Sequence, residues 1–205
     1  MLYTIKRIQD KSQIEQCEQI RINQYMWNSK QEPNTYGWIG YWEGMGLFVK
    51  MVCEETNPKC IYKNHKDPVY KDSAMEIFLA FPSDEMISNE CMYTNFEINS
   101  CGKMLAKYGK GRKNRQFISD EFYALSGVKA EVKEDRWQIE VLFPETYLKQ
   151  ICDFESIKEG QEFYCNFYKI SESEEILHFG SFSPIDSETP NFHLPVCFAK
   201  TVIEK

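Results

Sequence analysis

The stretch Asp67-Pro68-Val69-Tyr70-Lys71-Asp72-Ser73-Ala74-Met75-Glu76-Ile77-Phe78-Leu79-Ala80-Phe81-Pro82 decides the fold class. A loop carrying one aromatic ring runs directly into Met75–Phe81, which is apolar apart from Glu76. Proline has no N–H to give to a neighbouring strand, so Pro82 ends a buried strand. Successive strand side chains point to opposite faces. Asp72, Ala74 and Glu76 therefore share one face, and Ser73, Met75 and Ile77 share the other.

The same period of two extends along the chain. In Tyr93–Asn99, Asn95, Glu97 and Asn99 alternate with Phe96 and Ile98. Ile20–Trp27 begins with strict alternation. Tyr36–Trp42, the turn Glu43-Gly44-Met45-Gly46 and Leu47–Cys53 read as a hairpin. Val128–Lys133, Glu134-Asp135 and Arg136–Phe143 read as a second hairpin, with Trp137, Ile139 and Val141 on one face. Glu162–Ile170 and Val196–Ile203 complete the strands. Helix is scarce: Ser12–Gln19, and one turn over Pro144–Lys149 started by its proline. This pattern predicts an all-β fold, a two-sheet antiparallel β-sandwich with one or two short helices. No repeat or linker divides residues 1–205, which read as a single domain.

Composition narrows the function. The chain has 205 residues, 42% hydrophobic and 27% charged, enough for a packed core. Aromatics reach 15%, which suits strands and equally suits a face that stacks on sugars. A net charge of −7 and a pI near 5.2 argue against nucleic-acid binding and against docking on an anionic membrane. The basic cluster Lys107, Lys110, Arg112, Lys113 and Arg115 reads as a solvated loop. The eight cysteines include no C-x-x-C pair and read as free, buried thiols. No export signal is visible, and the longest apolar run, Ile77–Phe81, is too short to span a bilayer; the chain as given reads as cytoplasmic.

No nucleophile elbow, phosphate loop or H-E-x-x-H motif is present. Asp72, Glu76 and Glu97 would serve a glycosidase only as neighbours flanking a glycosidic bond. The polar face of the two strands fits a solvated sheet surface. It also fits a sugar site, because carboxylates accept from hydroxyls, amides donate and accept, and an aromatic ring stacks on pyranose C–H groups.

Tyr70–Phe78 resembles the D-S-x-E-[IF]-F strand of the family 9 carbohydrate-binding modules and their stand-alone relatives. Tyr93–Gly102, Gly111-Arg112 with Arg115, Trp137–Val141 with Pro144, Asn166–Lys169 and Pro190–Pro195 are similar to later blocks of those relatives, in the same order. The likeness covers about residues 65 to 205. It implies a jelly-roll or immunoglobulin-like sandwich, often with structural calcium, that binds a mono- or oligosaccharide without cleaving it. In sugar-binding members two tryptophans clamp a ring; their positions match Tyr70 and Phe192 here. The family's glutamate matches Glu76, its arginine falls on Glu97 and its asparagine on Asn99. Arg112 or Arg115 is the candidate replacement cation, and Asn166 and Tyr168 are further candidates. His193 reads as structural. Two other functions fit the same residues: a glycan hydrolase using paired carboxylates, and a sandwich that has lost its sugar and binds a protein partner.

Overall fold

The structure, a computed structural model, describes residues 2–82, 86–152 and 154–204. Its strands form two packed sheets. The larger runs in the order Leu2–Ile5, Ala199–Ile203, Glu162–Ser171, Ala74–Ala80, Tyr93–Asn99, Met104–Gly109 and Gln116–Phe117. His178–Ser181 also pairs with Glu162–Ser171 and carries Gln24–Tyr25 on its far side. The smaller sheet runs Lys129–Val132, Trp137–Pro144, Gly46–Cys53, Thr35–Trp42 and Arg7–Ile8, with Ile20–Ile22 also on Thr35–Trp42.

The expected wholly antiparallel arrangement is corrected at two edges. Leu2–Ile5 pairs parallel with Ala199–Ile203, and Arg7–Ile8 pairs parallel with Thr35–Trp42. The N-terminal segment passes from one sheet to the other at Lys6 and forms an edge strand of each. Two short α-helices are present, Asp120–Leu125 and Glu145–Cys152. The second lies where the proline turn was expected; the first was not read. Ser12–Gln19 proves to be a 3-10 segment, Lys11–Gln16, capped by Asp10.

The main core lies between the sheets. Met75, Ile77 and Leu79, with Phe96, Ile98, Phe163 and Phe167, pack against Ile39, Val49, Met51, Ile139 and Val141. Each fully buried aliphatic or aromatic side chain of this kind contributes about 1.5–3 kcal/mol. Phe96 and Phe143 lock the layers together at 4.3 Å between ring centroids.

The opposite face of the large sheet is buried too. Ala74, Phe78, Ala80, Tyr93, Tyr168 and Ile170 are roofed by Phe179, Phe192 and Phe198. Every residue of Ala74–Ala80 and of Tyr93–Asn99 is buried. A solvated outer face is therefore excluded for these strands, and Glu76 is 2% exposed.

Burial of charge elsewhere is paired. Lys169 is fully buried; its Nζ donates to Ser73 Oγ at 2.7 Å, lies 2.8 Å from His178 Nε2 and 3.5 Å from Glu55. Glu55 also accepts from Trp137 Nε1 at 3.0 Å and from Ser73 Oγ. Burial alone would raise the Glu55 pKa; Lys169, Ser73 and Trp137 outweigh it and hold the carboxyl below its usual range. Burial, reinforced by Lys169, drops His178 to about 3, so its imidazole is neutral.

The expectation of free thiols fails for Cys60 and Cys101, which form a disulfide. It ties the segment before Tyr70 to the turn after Asn99, where a long loop otherwise has little regular structure. Cys17, Cys53, Cys152 and Cys165 are free and buried; Cys91 and Cys197 are free and partly exposed.

Lys169→Ala is expected to strip the cation from Glu55 and to cost about 3–5 kcal/mol, the range for breaking a buried pair from one side. Urea unfolding of the variant against wild type measures it.

Candidate functional site

The site is built on the outer face of the large sheet. Glu76 and Glu97 are directly opposite one another in adjacent antiparallel strands. The row continues to Leu105 on one side and Tyr168 on the other. The next row on the same face is Lys107, Asn95, Phe78 and Asn166. One end of this face is thus acidic and polar, and the other is filled by rings.

Loops raise walls around the acidic end. Tyr70 comes from the 3-10 turn Val69–Lys71, and Glu172 follows the strand Glu162–Ser171. Arg112 and Asn114 lie in the loop after Met104–Gly109; Asn191, Phe192 and His193 come from the segment before Ala199–Ile203. Trp27 comes from the turn after Gln24–Tyr25. Together they enclose a pocket of about 370 Å³, floored by Glu76, Asn95 and Glu97. Small-molecule sites run from roughly 300 to 1,000 Å³, so this one suits a single small ring.

The aromatic walls differ from the expected pair. Tyr70 lines the pocket and is half-buried. Phe192 also lines it but is 6% exposed, stacked on Tyr168 at 4.1 Å and 13°. It supports the wall more than it presents a free face. Trp27 is half-buried, with its ring 5.5 Å from Phe192 and 5.7 Å from Phe179. Its Nε1 donates to Ser187 O at 2.8 Å. Trp27 and Asn28 both have positive φ, 53° and 59°. For a bulky residue that conformation is strained and persists only when its surroundings fix it. Here they do: Met26 N donates to Phe179 O, Lys30 N to Leu177 O, and Ser29 Oγ accepts from Phe179 N.

Arg115 braces the floor. Nε donates to Asn95 Oδ1 at 2.9 Å, Nη1 to Gly109 O and Gly111 O, and Nη2 to Tyr93 O. The guanidinium lies 3.7 Å from the Tyr93 ring centroid. Burial lowers the Arg115 pKa to about 10, which leaves it charged at neutral pH. Asn95 relays this order by donating to Glu97 Oε1 at 2.9 Å. Glu97 Oε2 has no hydrogen-bond partner and is the buried side-chain polar atom so left among the described residues. Such an atom ordinarily finds a partner in protein, water or ligand.

Burial raises both floor carboxyls. It lifts Glu97 to about 7 against the opposing hydrogen bond from Asn95 and the charge of Lys107. It lifts Glu76 well above its usual value, with Glu97 and Glu172 adding to the rise and Arg112 opposing it. Burial, aided by Arg115 and Arg112, lowers His193 to about 3; the neutral ring sits 2.8 Å from the Tyr93 hydroxyl through Nδ1.

Of the residues singled out from sequence, Tyr70, Glu76, Glu97, Arg112 and Phe192 line this pocket, as do Arg115 and His193. Asn99 and Asn166 do not. Asn99 is fully buried; it donates to Tyr62 O and Asp72 Oδ2 and accepts from Cys101 N and Lys103 N. Asp72 in turn accepts from Ile61 N and Tyr62 N, so both residues fasten the loop. Asn166 is buried against Ser183, donating to its carbonyl and accepting from its N–H. Tyr168 is buried beneath Phe192. Trp27, Asn95, Glu172 and Asn191 line the pocket without having been singled out as ligand-binding. Asn95 shares the alternation of Glu97 and was legible on that ground. The described residues contain no group of three or more His, Cys, Asp or Glu placed to hold a metal ion.

Glu97 also carries a pH signature. With its folded pKa raised from 4.5 to about 7, its stabilising contribution is full below pH 4.5 and is lost as pH rises toward 7. Glu97→Gln removes that loss. The variant is expected to gain on wild type between about pH 4.5 and 7, by at most about 1.4 kcal/mol per pH unit. Denaturant unfolding of both proteins across that range checks the sign.

Solved structures share this fold. A protein of Bacteroides uniformis, described provisionally as carbohydrate-binding, superposes with a TM-score of 0.81 at 22% identity, covering 99% of each chain. A family 9 carbohydrate-binding module of Caldicellulosiruptor kristjanssonii in complex with glucose gives a TM-score of 0.70 at 12% identity, covering 100% of this chain and 96% of that one. Its complex with cellotriose gives 0.68 at 12% identity, with 100% and 94% covered. No curated protein matches in sequence. The model of carbohydrate-binding family 9 matches residues 5–203, and the chain belongs to that family.

Proposed function

We propose that this protein binds a carbohydrate without cleaving it, holding one sugar ring in the pocket above Glu76 and Glu97. The observation that carries the reading is the buried acidic floor beneath half-buried Tyr70 and Trp27. Rings stack on C–H faces, while carboxylates and Asn95 answer the hydroxyls. Family membership supports it, as do the glucose and cellotriose complexes of proteins with this fold.

The adjacent, pKa-raised pair Glu76 and Glu97 is the observation that favours glycan hydrolysis instead. A glycosidase needs its two carboxyls on either side of the scissile bond. These two stand side by side on one floor, which suits holding hydroxyls better than flanking a bond. A scaffold that has lost its ligand would have its rings packed against its own loops. Phe192 meets that description, but Tyr70 and Trp27 remain open to the pocket.

Titration calorimetry against neutral mono- and disaccharides tests the proposal. Tyr70→Ala and Trp27→Ala are each expected to weaken binding about fivefold, the equivalent of about 1 kcal/mol per stacked ring. An absence of heat at millimolar sugar from every member of the panel sinks it.

A further inference from the structure

The pocket floor presents two facing carboxyls, to which a neutral ligand brings hydrogen-bond donors but no opposite charge. Glu76 and Glu97 face each other across one strand pair, and Glu172 adds a third carboxyl at the rim. The surrounding cations act on the floor through space, Arg112 on Glu76 and Lys107 and Arg115 on Glu97, but none forms an ion pair with either carboxyl among the described residues. Arg115 gives its donors to Asn95 and to the backbone carbonyls of Tyr93, Gly109 and Gly111. Arg112 Nη1 donates to Pro190 O at 2.9 Å, and the Lys107 ammonium lies 4.6 Å from the Phe117 ring centroid. Arg112 and then Lys71 oppose the rise that burial gives Glu172 at the rim. Among the described residues no Lys, Arg or His side chain is hydrogen-bonded to either floor carboxyl, and Glu97 Oε2 is buried with no hydrogen-bond partner.

Two buried carboxyls side by side oppose each other's ionisation. A compact cation with several N–H donors, placed between them, removes that conflict and supplies the orphan oxygen with a charge-assisted hydrogen bond. The aromatic walls favour the same ligand, since a cation is attracted to ring faces. A divalent metal suits the floor less well: Glu172 stands at the rim, and the described residues include no group of three or more His, Cys, Asp or Glu placed to hold a metal ion.

We infer that the pocket selects sugars bearing a free ammonium group, the 2-amino-2-deoxyhexose class, and seats the ammonium between Glu76 and Glu97. The inference rests on the sugar-binding reading and sharpens it. Both carboxyls are raised by burial, so an ammonium also draws them into the ionised form on binding.

Calorimetry at about pH 7, where a sugar amine is largely protonated, decides it with D-glucosamine, D-glucose and N-acetyl-D-glucosamine as probes. Glucosamine is expected to bind at least about tenfold more tightly than glucose, about 1.4 kcal/mol. N-acetylglucosamine, which has the same 2-position nitrogen without the charge, gains nothing over glucose. In Glu97→Gln the ratio of glucosamine to glucose affinity falls toward one. If that variant binds neither sugar, the wild-type ratio alone decides. Equal or weaker binding of glucosamine by wild type overturns the charge selection and leaves sugar binding standing. A glucosamine preference undiminished in a Glu97→Gln protein that still binds both sugars overturns the seat. Silence from all three probes, and from the neutral panel, removes the underlying reading instead.

Discussion

Ala74–Ala80 and Tyr93–Asn99 sit in the middle of a sheet with both faces covered, and that double burial governs the rest of the molecule. A strand so placed has no solvent to absorb a polar side chain, so each must find a partner inside. Asp72 and Asn99 do so by fastening the Tyr62 loop, and Asn166 does so against Ser183. Glu76 and Glu97 are placed where the roof opens, and the pocket exists because of that opening. The inner face supplies the hydrophobic stabilisation; the outer face divides between an aromatic cluster and an acidic hollow.

Much of this architecture was readable in the residues. Tyr93–Asn99 appears with the bounds its alternation suggests, and both hairpins stand with their ends moved by a residue or two. Met104–Gly109 escaped notice because only its first half is fully buried, which leaves a short periodic signal. The edge strands Arg7–Ile8 and Gln116–Phe117 are too short to carry any. The roof was hidden for a different reason. Phe192 and Phe198 lie in irregular, proline-containing segments, where no period tells a covering ring from an exposed one.

The site shows the same division. Tyr70, Glu76 and Glu97 follow from strand alternation and the family pattern. Asn99 shares the alternation of Asn95 and Glu97, but its partners Tyr62 and Asp72 lie 37 and 27 residues away, outside any local pattern. Trp27 was hidden in what reads as the end of a strand. Its turn forms because Phe179, Leu177 and Ser187 hold it, all contributed from the far end of the chain. Phe192, which the resemblance matches to the second clamp position, stacks on Tyr168 and lies against Trp27 in the wall.

Arg115 has a consequence for kinetics. By fixing Asn95 and four backbone carbonyls at once, it organises the loop over the sheet before any guest arrives. The entropy of ordering that loop is settled during folding and does not recur at each encounter. Arrival should therefore be similar for sugars of similar size, and discrimination among them should reside in how long each one stays.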